Sequence, residues 1–327
     1  MSLPSARASS TPVSVTGLTG VVALSAGGAH HCVLKADRTA SCWGKNEKGA
    51  LGDGTAGITT SKAVPTAVLG LTDAVAVSGG TLHTCALKAN ATVVCWGLND
   101  FGQLGDGTTT DRLVPTAVPE LTGVVAISAG NQHTCALKSD GSASCWGRNV
   151  EGQLGRGNTT NSLLPVAVVN LAGAVAISAG TVHTCALRAS GGVSCWGKND
   201  QGQLGDTTTV AKTSPVVVAG LIGAKAIDAG NLHTCAVRTD GSAACWGRNL
   251  DGELGDATGV NKTSAATVAN LTGVAAISAG GFHTCALKTD GSVACWGRNT
   301  DGQVGDGSLS LTRTAVTPVL GGAVYWK

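Results

Sequence analysis

A phrase of the form His-Thr-Cys-Ala-Leu, with a Cys-Trp-Gly whose cysteine lies ten residues beyond the first, returns six times along this chain. The leading cysteines are Cys32, Cys85, Cys135, Cys185, Cys235 and Cys285, and the second ones are Cys42, Cys95, Cys145, Cys195, Cys245 and Cys295. The first step is 53 residues and every later step is 50. A fixed period of this length marks a propeller or a solenoid, whose units bury their apolar faces only against neighbouring units. No linker or change of composition interrupts the period, so 11–327 reads as one domain. The small polar stretch at 1–10, MSLPSARASS, reads as a tail. No apolar core of a secretory signal follows Met1, and no apolar run approaches the ~18 residues of a membrane span.

The repeat around Cys135 shows how a unit folds. Its segments are short, rich in Val, Ile, Thr and Ala, and broken by glycine, which is strand spacing rather than helical periodicity. Four strands are expected, at 124–128, 133–138, 142–146 and 164–168. Pro165 falls in the fourth, as do Pro65, Pro115 and Pro215 in theirs. Proline is tolerated at sheet edges, so the fourth strand belongs at the rim. Ser139-Asp140-Gly141 suits a three-residue hairpin loop ending in a left-handed glycine. In that register Lys138 faces Ser142 and Cys135 faces Cys145, within reach of a disulfide. Closing so short a loop stabilises by roughly 3 kcal/mol in the chain-entropy picture. Twelve cysteines in six such pairs point to an oxidising compartment: extracellular, cell surface or periplasm.

The same residues allow a metal reading, because His133 and Cys135 share one strand face with Cys145 across from them. Zinc knuckles of the Cys-x-x-Cys type are absent, however, and neither a metal nor a cofactor is expected. His30, His83, His133, His183, His233 and His283 recur once per unit. An active site is assembled once, so these histidines read as architectural, bridging backbone groups between adjacent strands. Trp43, Trp96, Trp146, Trp196, Trp246 and Trp296 read as blade-packing residues. Asn46, Asn99, Asn149, Asn199, Asn249 and Asn299 read as turn-makers.

The string Ser-Ala-Gly-x-x-His-Thr-Cys-Ala-Leu-Lys, then Asp-Gly-Ser, Cys-Trp-Gly-x-Asn and Gly-Gln-Leu-Gly-Asp-Gly-Thr, resembles the repeat of the regulator of chromosome condensation family. The resemblance runs from about Thr11 to the C-terminus. It implies an all-β propeller of four-stranded antiparallel blades, most often seven in that family. It also implies several functions: nucleotide exchange on a small nuclear GTPase and nucleosome docking in the namesake, and capping of β-lactamases in a bacterial relative. The paired cysteines look like the secreted bacterial members. Six blades are expected here, with a terminal strand, at 12–15 or 315–319, completing a blade at the other end of the chain. Closing a ring in this way removes exposed edges. A seven-bladed or incomplete seven-bladed ring is the alternative. Tyr325-Trp326 is a faint echo of Cys-Trp.

Function is sought where the period breaks. The residues preceding each histidine vary, giving Leu82, Gln132, Val182, Leu232 and Phe282. So do those after Cys-Trp-Gly-x-Asn, giving Phe101, Glu151, Gln201, Asp251 and Asp301. Loops of changing chemistry on a constant scaffold are how repeat proteins make binding faces. Lys45, Arg148, Lys198, Arg248 and Arg298 form a nearly complete basic ring, expected to pair with acids such as Asp106 and Asp256 of neighbouring blades. With 22 basic and 20 acidic residues the chain has little to offer a phosphate backbone, and nucleic acid is not an expected partner. No nucleophile elbow, phosphate loop or His-Glu-x-x-His helix is present, so no enzyme is expected. The expected function is a non-catalytic, monomeric binding module for protein or glycan partners, one form of which is inhibition of a partner enzyme. A nucleotide exchange factor and a His-x-Cys metal protein are the alternatives.

Overall fold

A computed structural model describes residues 9–320. The strands fall into six four-stranded antiparallel sheets, each made of four consecutive strands in chain order. The six blades span 21–67, 74–117, 124–167, 174–217, 224–267 and 274–318 and stand in a ring around a central channel. This is a six-bladed β-propeller. No helix occurs among the described residues.

In the third blade the strands run, from channel to rim, Val124–Ala129, His133–Lys138, Ala143–Gly147 and Ser162–Ala167. The third begins one residue later than expected because Ser142 belongs to the turn, where its N–H donates to Asp140 Oδ1 at 2.9 Å. The fourth begins two residues earlier, since a bulge between Cys145 and Gly147 carries the ladder on to Ser162. No strand pairs with its outer edge, and Pro165 sits there at no cost. The hairpin follows the expected register. Gly141 is left-handed at φ 77° and donates to Lys138 O, while Lys138 N–H donates to Ser142 O. Three residues on from the bonded Lys138–Ser142 pair, at a non-hydrogen-bonded position where antiparallel strands approach closely, Cys135 faces Cys145 with Cα atoms 4.1 Å apart. All six pairs repeat this geometry as disulfides.

The blades are joined by a repeated seam. Between blades 3 and 4 the core collects Leu137, the Cys135–Cys145 bridge and Leu154 on one side, and Ile177, Ala186 and Trp196 on the other. A buried tryptophan removes on the order of 200 Å2 from water, worth up to about 5 kcal/mol as an upper bound. Polar groups set the angle between the blades. Thr184 Oγ1 donates to Gln153 O at 2.9 Å, Trp196 Nε1 donates to the same carbonyl at 2.9 Å, and His133 Nε2 lies 2.9 Å from Thr184 Oγ1. The threonine has spent its proton on the carbonyl, so the histidine must be the donor, with its proton on Nε2. This corrects the expected role: His30, His83, His133, His183 and His233 each bridge to a threonine hydroxyl of the next blade rather than to backbone groups between strands. Each of these five is packed against a glycine whose Cα faces both the ring and the neighbouring blade. A methyl on Gly130 would collide with Gly180 O and with the His133 ring.

The sixth blade is completed by its own outer strand, Thr312–Pro318, so the termini do not share a blade as expected. The N-terminal segment instead lies against the sixth blade, where Ser10 O accepts Gly307 N–H at 2.9 Å. Tyr325-Trp326 lies outside the described residues. Five seams carry the packed core. At the sixth, between blades 6 and 1, no such cluster forms among the described residues, and Val22 and Leu24 are 57% and 51% exposed. Trp43, which has no preceding seam to enter, is only partly buried, whereas the tryptophans of the other five blades are fully buried.

Candidate functional site

Strands alternate in direction, so the loop between the first and second strands and the loop between the third and outer strands open on the same face of the disc. The two variable sets are therefore neighbours, and backbone bonds stitch them together. Leu98 N–H donates to Leu82 O, Arg148 N–H to Gln132 O, Lys198 N–H to Val182 O, Arg248 N–H to Leu232 O and Arg298 N–H to Phe282 O. Leu82, Phe101, Gln132, Glu151, Val182, Gln201, Leu232, Asp251 and Phe282 are half-buried on this face, and Asp301 is exposed. The asparagines behind them are buried turn-makers: Asn149 Oδ1 accepts Leu154 N–H at 2.9 Å while its amide donates to Asn158 O and Thr160 O.

The basic ring is answered locally. Lys45 pairs with Glu47, Arg148 with Glu151, Lys198 with Asp200 and Arg248 with Asp251, each within its own loop. The acids expected to pair with the ring take other partners: Asp106 binds Arg112 at 2.7 Å and Asp256 lies 3.3 Å from Lys262. A short loop keeps these four cations close to an anion of their own, while Arg298 reaches across a seam, as expected of the ring, to Asp251 of the fifth blade. A face of self-paired charges presents little net field to a polyanion.

One sector departs from this pattern. The slot filled by Gln103, Gln153, Gln203 and Gln303 holds Glu253 in the fifth blade, fully buried. Burial pushes its carboxyl up, against the pull of Arg248, which contacts it directly. The Arg248 guanidinium also bonds Asp251 at 2.7 Å, and Asp251 lies 3.7 Å from Arg298 of the sixth blade. Both guanidinium groups lie over the Phe282 ring, 4.9 and 4.6 Å from its centroid. Arginine over an aromatic face is worth about 0.5–2 kcal/mol. Phe282 is thereby held in place, part of its surface still open to solvent. Phe101, the other phenylalanine, has no such flanking pair among the described residues.

A cavity of about 720 Å3 opens at the centre of the disc on the loop face, lined by the glycines that close each inner strand and by Thr81, Asn131, Thr181 and Asn231. Beside it, serines on the inner strands accept a backbone N–H from the next blade, as Ser128 does from Ala179 at 2.9 Å. The fifth blade breaks this series too. Asp228 takes the serine position, accepting Ala279 N–H at 2.8 Å and the Ser178 hydroxyl at 3.0 Å. Burial drives its carboxyl pKa up despite these donors. An acid whose pKa is raised on folding costs stability once the pH exceeds its unfolded value, so Asp228→Ser is expected to stabilise by about 1–2 kcal/mol at pH 8. The gain should shrink at pH 5. Denaturant titrations at the two pH values check it, and an equal or reversed effect refutes the assignment.

All twelve cysteines are joined in pairs, which removes the thiolates that a His-x-Cys metal site requires. No cluster of three or more potential metal ligands occurs among the described residues. No helix of the described residues is long and apolar enough to cross a membrane.

Comparison with known proteins agrees with the repeat geometry. The sequence profile of the RCC1-like domain matches residues 2–324, nearly the whole chain. The chain belongs to the RCC1-like domain family. Yeast RCC1 (Prp20), solved in complex with Kap60, superposes with a TM-score of 0.81 at 22% identity, covering 92% of this chain and 75% of that one. Human WBSCR16 gives 0.85 at 21% identity, covering 95% and 84%. A second structure of Prp20p from Saccharomyces cerevisiae, described with its binding to Gsp1p and histones, gives 0.80 at 23%, covering 92% and 77%. These likenesses concern the fold. A Danio rerio RCC2 homolog is 38% identical over 81 residues, 24% of this RCC1-like chain and 16% of that protein, so the match spans a small part of that relative's length.

Proposed function

We propose that this RCC1-like propeller is an extracellular binding module that engages a protein partner through its loop face, with Phe282 between Arg248 and Arg298 as the anchor. The observation that carries this reading is the convergence of Arg248 and Arg298, from two blades, on the partly exposed ring of Phe282, a residue that breaks the period. Aromatic and arginine side chains dominate the energetics of protein interfaces, and anchors held in place before binding lose little entropy on contact. Leu82, Gln132, Val182 and Leu232 extend the same face and supply partner-specific contacts. Six intra-blade disulfides support an oxidising location.

A panel of secreted and cell-surface proteins, with glycans as a second arm, tests the proposal. For any ligand that binds, Phe282→Ala is expected to weaken affinity about 10- to 100-fold, while Asp140→Ala on the opposite face leaves it within two-fold. Equal affinity for all three proteins would remove Phe282 from the interface. Nucleotide exchange on a small GTPase is the competing reading, favoured by the shared fold with yeast RCC1. A nucleotide-release assay decides it, and no acceleration is expected.

A further inference from the structure

The residue after the glycine that closes each inner strand changes around the ring: Gly28, Thr81, Asn131, Thr181, Asn231 and Gly281. All six line the central cavity, so its mouth is an arc of four polar side chains ending in a glycine on either side. Among the described residues the cavity wall holds no carboxylate, lysine or arginine. Its two titratable side chains are His31 and His283, and burial lowers both imidazoles below the usual histidine range. The wall is therefore uncharged at pH 7.

Half of the polar arc is closed on itself and half is not. Towards blades 4 to 6, Thr181 N–H donates to Gly230 O, Asn231 N–H donates to Gly280 O, and the Thr181 hydroxyl donates to Asn231 Oδ1. Blades 2 and 3 carry the same residue types in the same order, yet no such bonds form there. The N–H and hydroxyl of Thr81, and the N–H and side-chain amide of Asn131, have no hydrogen-bond partner among the described residues. Both side chains are half-buried against the cavity. Polar groups in this position bind water until a ligand that can replace its hydrogen bonds displaces it. An ion would lose hydration against an uncharged wall, and an apolar ligand would leave Thr81 and Asn131 unpaired. A neutral molecule rich in hydroxyls avoids both costs, because each hydroxyl donates and accepts as threonine and asparagine do.

We propose that the central cavity is a binding site for a neutral saccharide, oriented by Thr81 and Asn131. The cavity volume falls within the range of about 300–1,000 Å3 in which pockets take small ligands. Bare glycine backbone at 80, 130 and 180 lets a sugar ring approach the wall closely. A free sugar and the exposed end of a larger glycan present the same hydroxyls, and the site recognises that shared chemistry. Phe282 lines no part of the cavity, so the saccharide site stands independently of the protein-binding anchor.

The test titrates the full chain calorimetrically with lactose, maltose, cellobiose and N,N′-diacetylchitobiose, and applies it to immobilised neutral glycans in a second arm. Saturable binding is expected in at least one arm: free disaccharide if the ligand is a small sugar, immobilised glycan alone if it is a glycan end. Thr81→Gly and Asn131→Gly place in the slot the residue that the first and sixth blades already carry, so the fold should persist with an unchanged near-UV circular dichroism spectrum. Each should weaken the saccharide about ten-fold or more. Phe282→Ala should leave its affinity within about two-fold, which separates a failure here from a failure of the protein-binding reading. Uronic-acid and amino-sugar counterparts of the bound saccharide should bind at least about ten-fold more weakly. No binding in either arm, binding that Thr81→Gly and Asn131→Gly leave unchanged, or equal binding of the charged counterparts overturns the proposal.

Discussion

Acidification from pH 7 toward pH 3 is expected to unfold this propeller cooperatively while all six disulfides stay closed. Burial, the largest influence, lowers His83, His133 and His233 to about 3 and His30 and His183 to about 4; it also lowers His283. Neighbouring histidines add to the effect at four of these positions. The folded state therefore prefers neutral imidazole, and unfolded histidine titrates near 6.5. The stability these groups contribute is complete above about pH 6.5 and is lost as the pH falls toward their folded values. Within that window each contributes a slope of about 1.4 kcal/mol per pH unit, so five together approach 7. Protonation also strikes the seam directly, because an imidazolium needs an acceptor at Nδ1, and the Nδ1 atoms of His30, His83, His133 and His183 have none. Near-UV circular dichroism gives the transition, and potentiometry across it should show uptake of at least five protons, those of the buried histidines, with carboxylates such as Asp106 and Asp206 adding to it toward pH 4. A transition without proton uptake would place the acid sensitivity elsewhere.

The second large effect is expected from Thr184→Val. Valine keeps the shape of threonine and removes only the hydroxyl, which serves as donor to Gln153 O and acceptor from His133. Gln153 O retains the Trp196 indole, but the His133 N–H is left buried without an acceptor. Moving the proton to the other ring nitrogen does not help, since Nδ1 is unpartnered as well. The expected loss is about 2–3 kcal/mol, seen as a lower denaturant midpoint with an unchanged slope. A change under about 0.5 kcal/mol would mean that the seams are held by apolar packing alone.

Much of the blade can be read from the chain because its rules are local. A ten-residue spacing around a three-residue turn forces Cys135 opposite Cys145, and a proline in the fourth strand can only lie at the rim. Across a seam the sequence is less direct. The partner of His133 is Thr184, one period and one residue away, and its neighbour in the phrase, Thr134, belongs to the preceding seam. A signal did exist: threonine follows the histidine in five repeats, and the first repeat, which has His31 there, is the one with no packed predecessor. Glu253 and Asp228 are visible as breaks in the period, at positions whose burial marks them as scaffold. The meeting of Arg248, Arg298 and Phe282 depends on the angular offset between blades 5 and 6, which no single repeat encodes. The same holds for the charges: Lys45, Arg148, Lys198 and Arg248 pair within their own loops, whereas Arg298 pairs across a seam with Asp251.

Every covalent cross-link in this molecule closes a hairpin inside one blade, and none spans two. A protease that nicks the chain between blades thus meets no sulfur tether holding the severed portions to each other. Such a wound would let the disc divide into sectors, each keeping its own locked hairpin while the circumference is lost.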